Sequence, residues 1–334
     1  MDLVCLGELL VDMFPAELGT GLGYVSAFRP VPGGAPANVS VAAARLGLAS
    51  AFIGKVGDDA FGRRLAEVLQ GEGVDVRALR FDREARTTLA FIAQPDANTA
   101  EFLFYRNPGA DMRLAADELD LDLLDSARAF HFGSISLIGE PSRSATLAAV
   151  RRTRAAGALI SFDVNYRPSL WPSRQEAIEA IMATVPLADT VKVNDTELRL
   201  LSGSDDLEAG SAALLRLGPS LCVVTLGPDG SFFASGEGSG RVPGFAVKTV
   251  DATGCGDAFA AGLLRGLLAD PCRGRPLAKA SLGFGAPCLP AAPERLRAVL
   301  RYANAVGALK ATRRGVIPAL PRAAEVDEFL ARSA

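Results

Sequence analysis

The chain has 334 residues, 49% of them hydrophobic and 22% charged, a composition that fits a globular protein with a large core. Its 35 Lys and Arg against 38 Asp and Glu leave a net charge of −3, so there is no electrostatic footprint for nucleic acid or an anionic membrane. Five dispersed cysteines without C-x-x-C spacing and a single histidine, His131, exclude a His-rich zinc site and fit reduced thiols in a cytoplasmic protein.

Leu3 to Leu6 predicts a short strand, followed by Gly7-Glu8 and a second apolar run ending at Asp12. No basic region or cleavage motif precedes them, and no apolar stretch reaches the roughly 18 residues that cross a bilayer. Gly33-Gly34-Ala35-Pro36-Ala37-Asn38 breaks the chain and launches an Ala/Val helix through Leu46. Ala51 to Gly54 predicts a strand and Phe61 to Gly71 a helix. Thr87 to Ile92 and Glu101 to Tyr105 read as a hairpin around Asp96-Ala97-Asn98. From about 111 onward strands (129–132, 159–163, 190–193, 221–225) alternate with helices (near 142–157, 173–184, 195–202 and 207–217). That alternation implies a parallel sheet with helices on both faces. The segment after Pro321 predicts one terminal helix.

The run Val250-Asp251-Ala252-Thr253-Gly254-Cys255-Gly256-Asp257-Ala258 carries the most chemistry. A small-residue turn feeds an apolar helix, whose first N–H groups and macrodipole form an anion site. Gly254 and Gly256 let backbone approach a phosphate. Asp257 stands in that positive spot, either as a helix cap or as a base that takes a proton from an attacking hydroxyl. A thiol at a helix N-terminus can have a lowered pKa, so Cys255 reads either as an oxidation-sensitive thiol or as a small inert filler.

Polar residues also follow the predicted strands at their carboxyl ends, where open α/β sheets bind ligands. Asp12 and Asn38 suit hydroxyl recognition or a turn. Arg167, after Asp163-Val164-Asn165-Tyr166, can fork onto phosphate oxygens. Asn194 and Glu197 fit Mg²⁺ through water and equally fit a capping box. Val223 to Gly230, with Thr225 and Gly227, is a strand and tight turn of the kind that lies against a nucleotide. His131 and Trp171 read as a core residue and a loop anchor.

Two nucleotide motifs are excluded. A Walker loop fails because Gly54-Lys55 is preceded at the required position by Ala49 and followed by Val56. A dinucleotide fingerprint fails because the third-glycine position counted from Gly254 is Phe259.

With Gly33 to Asn38 near the start and Asp251 to Asp257 late, the chain resembles the ribokinase-like (PfkB) carbohydrate kinases over essentially its whole length, to about Pro321. Within them it is most similar to fructokinases, through 104–112, 131–137 and 192–198. Asp163 to Arg167 is shared in outline with 2-keto-3-deoxygluconate kinases. The resemblance implies a three-layer α/β/α core with a mostly parallel sheet (1–14, 33–86 and 111–334) and a small β lid (15–32 and 87–110). It implies ATP and Mg²⁺ as cofactors, a sugar substrate, and a homodimer through the lid.

The resemblance also implies a role for each residue at a matching position. Asp257 would be the base, and the N–H groups of Gly254, Cys255 and Gly256 the hole for the γ-phosphoryl. Asp12, Gly33, Gly34 and Asn38 would hold the sugar, with Arg106 and Arg167 nearby. Asn194 and Glu197 would organise Mg²⁺, and Thr225, Gly227 and Asn304 would line the nucleotide. A K⁺ would sit near Asp251, Thr253, Arg313 and Gly315. The chain departs from the family pattern at Ala319, where some relatives offer serine, and at Cys255, where alanine is common.

Overall fold

A computed structural model describes residues 1–17, 19–93, 95, 101–269 and 292–333. The hairpin turn expected at Asp96-Ala97-Asn98, together with Cys272 and Cys288, lies outside the described residues. The strands are β1 (Leu3–Leu6), β2 (Leu10–Pro15), β3 (Phe28–Gly33), β4 (Ser50–Gly57), β5 (Leu79–Asp82), β6 (Leu89–Ala93) and β7 (Glu101–Tyr105). They continue with β8 (Ala129–Gly133), β9 (Leu159–Asp163), β10 (Thr190–Asn194), β11 (Leu221–Thr225), β12 (Ser231–Ser235) and β13 (Gly238–Val242). The helices are α1 (Ala35–Arg45), α2 (Ala60–Gly71), α3 (Leu121–Asp125), α4 (Ser142–Ala155) and α5 (Arg174–Thr184). After them come α6 (Asp195–Ser202), α7 (Leu207–Leu215), α8 (Cys255–Leu268), α9 (Pro293–Ala311) and α10 (Ala323–Arg332).

Nine strands form one sheet in the order β13-β12-β11-β10-β9-β8-β1-β4-β5. Pairs from β11 through β5 are parallel, and β12 and β13 close one edge antiparallel. Strand β1 shows how two cores arise from one run. Leu3 and Cys5 point into a cluster with α1, α8 and α9, whereas Val4 and Leu6 point into a cluster with α3 to α7. Period-two alternation with both faces apolar is what a sheet sandwiched between helix layers requires, and the expected three-layer architecture is present.

Helix α8 reaches α9 closely because glycines stand at the contact. A Cβ at Gly262 would lie 2.9 Å from Ala303 Cα, and one at Gly266 would lie 2.6 Å from Val299 Cγ1. The apolar segment after Gly254 is therefore a buried helix, as its sequence suggested.

The second sheet has the order β3-β2-β6-β7. Its inner pair β2–β6 is parallel, and its outer pairs are antiparallel. Here an expectation is corrected. Leu10 to Phe14 were placed in the core with residues 1–14, yet they pair with β3 and β6 in the small sheet. Gly7, at φ +153, redirects the chain between β1 and β2, and hydrophobicity alone does not report that turn. Two further differences are strand β5 and the β12–β13 hairpin, which were not anticipated. The Gly/Ser-rich segment 235–240 has no alternating pattern, and its second half becomes the sheet edge by pairing with β12.

Candidate active site

The carboxyl edge of the large sheet faces the first turn of α8. Gly254 caps that helix in the left-handed region, at φ +77, and a Cβ there would meet Val316 Cγ1 at 2.5 Å. Only glycine fits both demands. Cys255 N–H donates to Ala252 O at 3.2 Å. Of the three N–H groups expected to face an anion, that one is engaged in shaping the turn, which leaves Gly254 and Gly256.

Asp257 sits in the first turn of α8 and is buried. Asn38, in the first turn of α1, donates Nδ2 to Asp257 Oδ2 at 2.8 Å, while its own Oδ1 is buried without a protein partner. Burial pushes the Asp257 carboxyl up and the Asp163 charge adds to this; Asn38, Lys192 and Arg167 oppose it. Asp12, in mid-β2, is pushed to about 7 by burial and then by the Asp257 charge, with Arg167 opposing. Gly33 makes room for it, since a Cβ there would fall 2.1 Å from Asp12 Oδ2. Gly34, at φ +107, lies against the Glu8 carbonyl and caps α1. The structure thus gathers Asp12, Gly33, Gly34, Asn38, Arg167 and Asp257 from both sheets. Asn165, left-handed at φ +40, marks local strain where β9 delivers Arg167.

Other expected residues fall elsewhere or carry structural duties. Arg106 is buried and ion-paired to Asp111 Oδ2 through Nη2 at 2.7 Å, with Nε bonded to the same oxygen at 2.8 Å. It still lines a cavity of about 380 Å³ between β7 and the segment after β9, with Phe104, Asn107, Met112, Ser169 and Leu170. Asn194 and Glu197 form the capping box: Asn194 Oδ1 accepts from Glu197 N at 2.7 Å, and Glu197 Oε2 accepts from Asn194 N at 2.8 Å. Glu197 Oε1 also accepts from Tyr166 N at 2.7 Å, which ties α6 to the end of β9. Thr225 ends β11, and Gly227 follows in a left-handed turn at φ +58. Asn304 Nδ2 holds the carbonyls of Val242 and Pro243 at 3.2 and 3.1 Å.

Around the expected cation site, Asp251 Oδ1 accepts from Thr253 N and Oδ2 from Gly315 N, both at 2.9 Å. Arg313 turns away to Glu325 on α10. Of the two readings of Cys255, the surroundings favour the inert filler. Burial pushes its thiol up to about 11; the Lys310 ammonium opposes this, and the Asp251 and Asp257 carboxylates add to it. The carboxylates and desolvation outweigh the helix terminus, so the thiolate that oxidation requires is scarce.

Sequence reading missed three buried charges. Lys192 on β10 bonds both oxygens of Asp163, at 2.8 and 2.9 Å, and lies beneath Gly256, where a Cβ would stand 3.4 Å from Nζ. A lysine between two valines in a parallel strand was the available signal. Glu8 caps α1 through Ala35 N at 2.9 Å, with its second oxygen buried and unpartnered. Lys310, near the end of α9, is the third. Histidine 131 is a core residue as expected, bonded to Ser161 Oγ at 3.0 Å and lowered to about 4 by burial.

Among the described residues no cluster of three or more His, Cys, Asp or Glu could hold a metal, and no helix is long and apolar enough to cross a membrane. The pfkB family carbohydrate kinase profile matches residues 1–323. Probable fructokinase-7 of Arabidopsis thaliana is 45% identical over 98% of this chain and 92% of its own. The crystal structure of fructokinase with bound ATP from Xylella fastidiosa superposes with a TM-score of 0.86 at 32% identity, covering 99% of this chain and 98% of that one. A fructokinase double mutant from Vibrio cholerae O395, bound to fructose, ADP and potassium, gives 0.84 at 35% identity over 98% of both. With its geometry and its full-length relatives in agreement, the chain belongs to the pfkB family of carbohydrate kinases and is an ATP-dependent sugar kinase.

Proposed function

We propose that the protein phosphorylates a primary hydroxyl of D-fructose from MgATP, with Asp257 as general base. The observation that carries this is the Asn38–Asp257 bond, which seats a buried, raised carboxyl at the N-terminus of α8 beside Asp12. A carboxyl held up by burial is a stronger base once ionised, suited to an alcohol proton. Fructose would lie between the sheets, its hydroxyls on Asp12 and Asn38 and against Gly33 and Gly34. Asp257 takes the hydroxyl proton as the new O–P bond forms and the bond to ADP breaks. The N–H groups of Gly254 and Gly256 meet the transferred phosphoryl. Arg167, exposed and near both carboxylates, contacts sugar or phosphate as the small sheet closes as a lid. Thr225, Gly227 and Asn304 line the nucleotide side. Glu197 has one backbone bond on each oxygen, so it and Asn194 fit the water shell of a phosphate-borne Mg²⁺, which supplies charge neutralisation.

Fructose is favoured over 2-keto-3-deoxygluconate because a free carboxylate needs an uncommitted cation. Arg106 is committed to Asp111, leaving Arg167 alone. A coupled ADP-release assay over fructose, 2-keto-3-deoxygluconate, ribose, glucose, tagatose and adenosine tests the reading. The highest kcat/KM is expected with fructose. Preference for the keto-acid would overturn the substrate and give Arg167 to its carboxylate.

The lid also supports a homodimer. Edge strand β7 exposes Phe102, Leu103 and Tyr105, and a four-stranded sheet with an open apolar edge gains by covering it. Light scattering at micromolar concentration should give twice the chain mass. A cytoplasmic location fits the free thiols of Cys5, Cys222 and Cys255.

A further inference from the structure

Lys310 stands where the resemblance leads one to expect a free cation. It lies one residue before the end of α9, fully buried, and its Nζ donates to the carbonyl oxygen of Asp251 at 2.8 Å. The same ammonium is 3.9 Å from Asp251 Oδ1. Every oxygen of Asp251 is thereby engaged: Oδ1 by Thr253 N, Oδ2 by Gly315 N, and the carbonyl by Lys310. The neighbouring carbonyls are engaged too. Lys310 O accepts from Arg313 N at 3.1 Å, and Ala311 O accepts from Val250 N at 2.7 Å and Asp251 N at 3.2 Å. These carbonyls form the negative end of α9 and would attract a cation. An ammonium is a compact charge with three donors and no acceptor, close in size to K⁺ and able to satisfy the same oxygens. The donor set therefore does not fit an added monovalent ion, because a covalently attached one holds its central oxygen.

We infer that Lys310 is a built-in monovalent cation: its ammonium replaces the K⁺ that the Vibrio cholerae relative binds, and it makes this kinase independent of K⁺. The ammonium tethers Asp251, whose Oδ1 fixes Thr253 at the start of the turn that presents Gly254 and Gly256. Burial pushes the Lys310 ammonium down, while Asp251, Cys255 and Asp257 oppose this and hold its charge, which stands behind the start of α8. A tethered charge does this without the ordering cost of recruiting an ion from solution.

The test compares wild type, Lys310→Ala and Lys310→Met at constant ionic strength, with tetramethylammonium, Na⁺ or K⁺ chloride at 100 mM. Wild-type kcat/KM is expected to change less than about twofold among the salts, and its thermal midpoint to be the same in Na⁺ and K⁺. Lys310→Ala opens space at Asp251. It should lose about tenfold or more in tetramethylammonium and regain most of that in K⁺, with a midpoint about 2 °C or more higher in K⁺ than in Na⁺. Lys310→Met fills the volume without charge and should lose activity in every salt. A tenfold K⁺ activation of wild type would overturn the inference even if neither variant folds. So would a folded Lys310→Ala with full activity and no K⁺ response in rate or midpoint. The midpoint needs no sugar, so failure of the fructose assignment leaves this result readable.

Discussion

Asn38 on α1 and Asp257 on α8 share a 2.8 Å hydrogen bond across 219 residues of sequence. The bond joins the two motifs that carry the chemistry, and it locks the first turns of two helices that pack on the same face of the sheet. Asn38 Oδ1 is left buried and unpartnered, an arrangement that costs free energy unless a ligand hydroxyl or water meets it.

The proposed role of Asp257 as base should show itself in the pH profile. Asp257 is raised by burial and by Asp163, and it must be ionised to act. The rate should therefore fall as pH drops through a value above the ordinary carboxylate range of about 4. Arg167 lowers both Asp257 and Asp12, so Arg167→Gln should move the acid limb of kcat/KM to higher pH. An acid limb near 4 in wild type would refute this placement.

Glu8 gives a stability signature. Burial raises its carboxyl from 4.5 to about 7, helped by Asp111 and opposed by backbone N–H groups and Arg106. A carboxyl raised on folding contributes stability that is present below the unfolded pKa and is lost as pH rises through the folded one. Glu8→Gln keeps an acceptor for Ala35 N–H and removes the charge. Its thermal midpoint relative to wild type should therefore rise between pH 5 and pH 8, measured by calorimetry. A difference independent of pH would contradict the burial of an ionised Glu8.

The Lys192–Asp163 pair is buried beneath Gly256 at the start of α8. Lys192→Met leaves Asp163 uncompensated and should cost about 3–5 kcal/mol in urea unfolding. Adding Asp163→Asn should recover a large part of that loss. Equal stability of the single and double variants would show that the two charges are uncoupled.

Gly33→Ala should separate binding from folding. Its Cβ would fall 2.1 Å from the Asp12 carboxylate oxygen, a contact relieved only by moving that side chain. The fold should persist, with a thermal midpoint within a few degrees of wild type, while KM for fructose rises about tenfold or more. An unchanged KM would remove Asp12 from the sugar site.

What the sequence disclosed depended on whether a residue's duty was local. Strands β7, β9 and β11 were legible to the residue, because apolar and β-branched runs bounded by turns report burial directly. The two glycine-rich turns before α1 and α8 were legible for the same reason. The sheet that β2 joins was not, because the bend at Gly7 is decided by packing against Pro36. Nor was the state of Cys255. A helix terminus argues for a low pKa, but the burial that pushes the thiol up is set only by the fold. Lys310 was invisible in an alanine-rich helix, since the Asp251 carbonyl it meets lies 59 residues away.

The proposed reaction rests most on Asp257, and turnover of Asp257→Asn at saturating fructose and MgATP tests that role most directly. The amide keeps the shape and an oxygen for Asn38 Nδ2, so folding should survive while kcat falls about 10²–10⁴-fold. A folded variant that turns over within a few-fold of wild type would mean that another group takes the proton.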